Sequence, residues 1–157
     1  MKPETISTIK KELLHLPPDK LVEYCIRMAK HKVENKELLS YLIYESADQS
    51  LFIEEVKKEI DLQFKSLNKT QHYLAKKTVR KVLRTTLKYI KFSGEKTTEL
   101  ELLIYFCKKL RLSGVSLRYG TVLGNLYMRQ HQRAQKVLST LHEDLQMDYA
   151  DEMALIS

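Results

Sequence analysis

Six basic residues recur at three- and four-residue spacing between positions 77 and 91: Lys77, Arg80, Lys81, Arg84, Lys88 and Lys91. At about 100° per residue they cluster on one arc of a helix, and Tyr73, one turn upstream, falls with them. The opposite arc holds Ala75, Val79, Val82, Leu83, Thr86, Leu87 and Ile90. A row of cations without Asp or Glu suits one kind of chemistry, the binding of anions. Two guanidinium groups one turn apart, Arg80 and Arg84, can each take a phosphate bidentately, and a tyrosine beside them can stack on a base. Like charges at i,i+4 spacing repel by a few tenths of a kcal/mol per pair, about 0.2–0.5. An external polyanion can offset that repulsion. So can acids of the chain itself, namely Glu54, Glu55, Glu59 and Asp61 of the preceding helix or the acidic carboxyl-terminal residues.

Other constellations point to structure rather than reaction. Neither His-Glu-x-x-His nor Cys-x-x-Cys occurs, and His15, His31, His72, His131 and His142 are scattered, so no metal site and no cofactor is expected. Glu55 and Glu59 stand one turn apart, but the adjacent Lys57 and Lys58 make a solvated helix face of them. Cys25 lies between Leu21 and Met28, and Cys107 follows Ile104-Tyr105-Phe106, so both read as small core residues. There is no glycine-rich phosphate loop and no Gly-x-Ser-x-Gly elbow, and Gly120-x-x-x-Gly124 reads as close helix packing. The expectation is a protein that is not an enzyme.

The net charge of +7 is unevenly spread. Residues 62–94 hold nine basic and no acidic residues, and residues 102–142 hold seven basic and none acidic. Between them residues 95–101 carry a net −2, the first 61 residues also carry −2, and residues 143–157 carry −5. Basic blocks this free of acid are the electrostatic footprint of a polyanion partner. Arg111, Arg118, Arg129 and Arg133 of the second block would extend the surface if that block packs beside the first.

The elements that must position these residues are helical. Apolar residues recur at helical spacing along the whole chain, with helices expected at about Thr5–His15, Asp19–Lys32, Asn35–Ser46, Asp48–Ser66 and Thr70–Phe92. Pro17 and Pro18 separate the first two, Asp48 is an N-cap candidate, and Ser93-Gly94 is a stop. A sixth helix is expected to open at Thr97 or Thr98, with Glu101 completing a capping box, and to close at Ser113-Gly114. Val115–Leu145 reads as one long helix or two, broken at the polar run Arg129–Arg133. No strand alternation or hairpin dipeptide appears. The expected fold is all-α: six to eight helices as antiparallel hairpins, in a small superhelical, solenoid-like and helical-repeat-like stack or in a bundle. Residues 1–146 are expected as a single domain, followed by an acidic amphipathic tail, 147–157, either loose or docked.

The first 30 residues resemble, in outline, a SAP-type DNA-binding module. The pieces that match are Ile6, Ile9-Lys10-Lys11-Glu12-Leu13 and Leu21-Val22-Glu23. The glycine usual in that link is replaced by Leu16-Pro17-Pro18-Asp19, and the likeness carries no residue roles across.

With no apolar leader at Met1–Lys11 and no uncharged stretch longer than the ten residues Tyr119–Met128, a soluble, cytoplasmic protein with reduced thiols and no membrane partner is expected. Its expected role is non-catalytic binding of nucleic-acid backbone with little sequence preference, through Tyr73, Lys77, Arg80, Lys81, Arg84, Lys88 and Lys91. The alternative is a protein–protein adaptor or assembly subunit whose basic face meets an acidic protein segment. Nothing in the sequence sets the oligomeric state.

Overall fold

Several helix ends have a local cause. Thr5 opens α1 (Ile6–Leu14) by accepting the Thr8 amide at 3.2 Å. Pro18, whose missing N–H costs nothing in a first turn, opens α2 (Pro18–His31). After α3 (Val33–Ser40) the chain makes a π-helical turn, Tyr41–Glu45. Asp48 then caps α4 (Gln49–Lys65) by accepting the Leu51 amide at 3.0 Å. The long basic helix α5 (His72–Ser93) closes at Gly94, whose φ of 69° is left-handed backbone that favours glycine. It is followed by α6 (Lys96–Leu112), α7 (Val122–Leu138) and α8 (Glu143–Leu155). This computed structural model describes all 157 residues and is all-α, with eight helices and no strand.

The chain divides into two compact units, Met1–Tyr44 and Glu45–Ser157. In the first, α2 packs on α3, and the Asn35 side-chain amide donates to the Met28 carbonyl at 2.9 Å. No residue of α1, α2 or α3 is buried. Cys25 is therefore exposed, contrary to its expected core position: the apolar stripe of α2 that holds it buries none of its members.

The second unit is a bundle centred on α6, which α4, α5, α7 and α8 all contact. Leu100, Leu102, Leu103, Ile104, Phe106, Cys107 and Leu110 of α6 are all buried. At about 100° per residue they span an arc of roughly 200°, wide enough to face several neighbours at once. Polar bonds key α6 to its neighbours. Tyr105 donates to Asp61 of α4 at 2.8 Å, Lys57 of α4 reaches Glu101 at 3.6 Å, and Tyr149 of α8 donates to Glu101 at 2.8 Å.

Two sequence expectations are corrected here. The capping box does not form: α6 starts at Lys96, Thr98 is buried with its hydroxyl donating to Gln49, and Glu101 faces Tyr149 and Lys57. Nor does the helix break at Arg129–Arg133. Tyr127, His131 and Ala134, at i, i+4 and i+7, keep an inward stripe through the polar run, and α7 passes unbroken. The His131 ring stacks on Tyr127 with a centroid distance of 6.4 Å. The chain breaks instead at 113–121 and 139–142. Residues 147–157 lie in α8 and the turn that ends it, with Met153 and Ile156 buried.

Candidate nucleic-acid interface

The apolar arc of α5 fixes the direction of its basic arc. Ala75, Val79, Val82, Thr86 and Ile90 are buried where α5 packs on α4 and α6. The Thr86 hydroxyl is satisfied within the helix by the Val82 carbonyl at 2.9 Å. Opposite them, Lys77, Arg80, Lys81, Arg84 and Lys91 are exposed, and Tyr73 is 76% exposed. No carboxylate forms an ion pair with any of these five cations. Lys88 differs from the rest of its arc. It is half-buried, its ammonium 4.7 Å from the centroid of Tyr89 and 5.9 Å from that of Phe92.

A groove of about 470 Å³ runs along this face, lined by Tyr73, Lys76, Lys77, Arg80, Leu83, Arg84 and Leu87. The structure thus brings four of the seven expected residues together in one concavity and leaves Lys81, Lys88 and Lys91 outside it. It also adds Lys76, Leu83 and Leu87, which the sequence reading missed. The signal was available: at about 100° per residue all three lie beside the line through Tyr73 and Arg80. Their helical angle had placed the two leucines with the core, yet both are only half-buried.

The α4 acids weighed as cover for the stripe are engaged elsewhere. Glu54 pairs with Lys57 at 2.9 Å and Glu55 with Lys58 at 2.7 Å, both within α4. Glu59 accepts from Gln63 at 2.7 Å, while Asp61 holds Lys109 of α6 at 2.9 Å besides Tyr105. The acidic α8 packs on α6 and α7. These pairings have electrostatic consequences. The hydrogen bond that Lys109 donates to Asp61 raises the Lys109 pKa, and burial followed by that same carboxylate raises Tyr105. Burial opposes the charge on Lys57, but Glu54 and Glu101 outweigh it and leave its pKa raised.

Three arginines of the second basic block bond within the fold. Arg111 donates to the carbonyls of Leu155 and Ser157, each at 2.9 Å, and Arg133 pairs with Glu99 at 2.6 Å. Arg129 donates to the Asn125 carbonyl at 3.3 Å, and Arg118 is exposed. Burial pushes the Cys107 thiol up to about 12, the reverse of what a nucleophile needs. No three His, Cys, Asp or Glu side chains converge to hold a metal ion, and no helix is long and apolar enough to cross a membrane.

Fold and site together define an all-α protein with a groove on α5 lined by lysine, arginine, leucine and tyrosine. No family model, no curated protein and no solved structure matches the chain.

Proposed function

We propose that this is a non-catalytic binding protein that grips nucleic-acid backbone through the exposed face of α5, with little sequence preference. One observation carries the reading: five cations share that face without an ion pair, while the α4 acids nearest in sequence are bonded within α4 or to α6. A face held in mutual repulsion gains from phosphates, and each phosphate contact also releases counterions. Lysines and arginines on a single helix arc, without an accompanying set of Asn and Gln base readers, favour backbone over sequence. The two free cysteines suit a reducing, cytoplasmic compartment.

A protein–protein adaptor or assembly subunit, its basic face meeting an acidic protein segment, is the second reading. The exposed apolar side chains of α1 to α3 favour it, among them Ile6 (80%), Leu14 (74%) and Val33 (76%).

Fluorescence anisotropy with labelled oligonucleotides at about 50 and about 200 mM salt separates the two readings. The nucleic-acid reading expects binding that falls steeply with salt and disappears in a folded Arg80→Glu/Arg84→Glu variant. Absence of binding by the folded wild type at the lower salt refutes it and leaves the adaptor.

A further inference from the structure

We infer that the α5 groove takes single-stranded rather than duplex nucleic acid, with a base stacked on Tyr73 and neighbouring phosphates on Lys77, Arg80 and Arg84. This refinement rests on the nucleic-acid reading of the same face. A duplex presents one charge per roughly 1.7 Å of axis and hides the faces of its bases, so it asks only for cations. The α5 groove offers something more. Tyr73 projects from it at 76% exposure, Leu83 lines it between Arg80 and Arg84, and Leu87 lines it beyond Arg84. Apolar surface interleaved with cations is of no use to a phosphate. It is complementary to a strand whose charged backbone and bare base faces alternate along its length, the combination found where single strands are bound without sequence preference.

The dimensions agree. From Tyr73 to Arg84 is about 16 Å of helix axis, enough for a few nucleotides. The groove's 470 Å³ lies in the range of clefts that take small-molecule-sized groups. Tyr73 stands in the first turn of α5 and makes no hydrogen bond, so its ring is free to pack on a base. Electrostatics alone would rank the ligands the other way, because duplex has the denser charge. A preference for single strands therefore reports contact with bases.

The test uses the full chain and three labelled probes of about ten nucleotides, within the usual site size for such proteins. These are an oligothymidylate, a duplex of equal length, and an abasic oligomer with the same phosphates and no bases. The expected order is oligothymidylate first, ahead of the other two by about tenfold or more, the scale of one stacked base. Tyr73→Ala should weaken oligothymidylate binding by about tenfold and leave the abasic oligomer unchanged. Equal or tighter binding of the duplex, lost in Arg80→Glu/Arg84→Glu, overturns the single-strand inference and leaves the nucleic-acid reading standing. An unchanged Tyr73→Ala variant overturns the inference too. If no probe binds, both fail together. Circular dichroism establishes that each variant is folded, and the exposure of Tyr73 makes that the expected result.

Discussion

Tyr105 of α6 donates its hydroxyl to Asp61 of α4 at 2.8 Å, and Lys109, one turn further along α6, closes on the same carboxylate at 2.9 Å. Asp61 is the last acid before the basic block begins, and these two bonds commit it to α6. The face of α5 is left without it.

Tyr105→Phe removes the bond to Asp61 Oδ2 and leaves the Lys109 ion pair with Oδ1 in place. A loss of about 0.5–1.5 kcal/mol in unfolding free energy is expected, the usual net value of such a bond. Urea denaturation measures it; a variant as stable as wild type would mean that the bond contributes nothing.

Charge reversal on α5 should separate binding from stability. Arg84→Glu places a carboxylate three residues after Lys81 and four before Lys88. Repulsive pairs are replaced by attractive ones, each worth about 0.2–0.5 kcal/mol. The Arg80→Glu/Arg84→Glu variant is expected to melt no lower than wild type while losing polyanion binding. A clear drop in its melting temperature would show that the arginines hold the fold.

His131 sets an acid limit. It is buried beside Tyr127, its Nε2 lies 3.4 Å from the Ser157 hydroxyl, and burial lowers its pKa below the ordinary 6.5. The folded state therefore binds fewer protons than the unfolded chain between the lowered value and 6.5. Its contribution is fully present above 6.5 and is lost as pH falls towards the folded value. Melting temperature followed downward from neutral pH should decline more steeply in wild type than in His131→Gln. Parallel curves would remove His131 as the cause.

Gly124 marks a close approach. A Cβ built there would lie 2.0 Å from the Arg118 carbonyl oxygen, the same oxygen that accepts the Thr121 hydroxyl at 2.7 Å. The spacing Gly120-x-x-x-Gly124 thus serves a loop folded tightly onto the first turn of α7, where Thr121 caps the Gly124 amide at 3.1 Å. Gly124→Ala is expected to cost about 1–3 kcal/mol, the range for overpacking. Calorimetry that finds no loss would mean the loop yields freely.

The all-α class, the helix ends at Pro17-Pro18, Asp48 and Gly94, and the two-faced nature of α5 were legible in the sequence. Each depends on residues within a few positions of one another, through proline geometry, a cap or the helical period. The central position of α6 was not legible there: the sequence marks an apolar helix, and only the packing of α4, α5, α7 and α8 against it shows how many neighbours it has. What tertiary structure decided was partnership. Glu99 joins Arg133 across 34 residues, Tyr105 reaches back 44 to Asp61, and Arg111 reaches forward to Ser157. The sequence could count the acids and cations of each block but not say which would meet, because charge pairs are made by chain segments brought together in space. For the same reason Thr98 left its expected cap to bond Gln49, and Leu83 and Leu87 left the core for the rim of a groove. Angular position on a helix states which way a side chain points, and only the packing of neighbouring helices determines what it finds there.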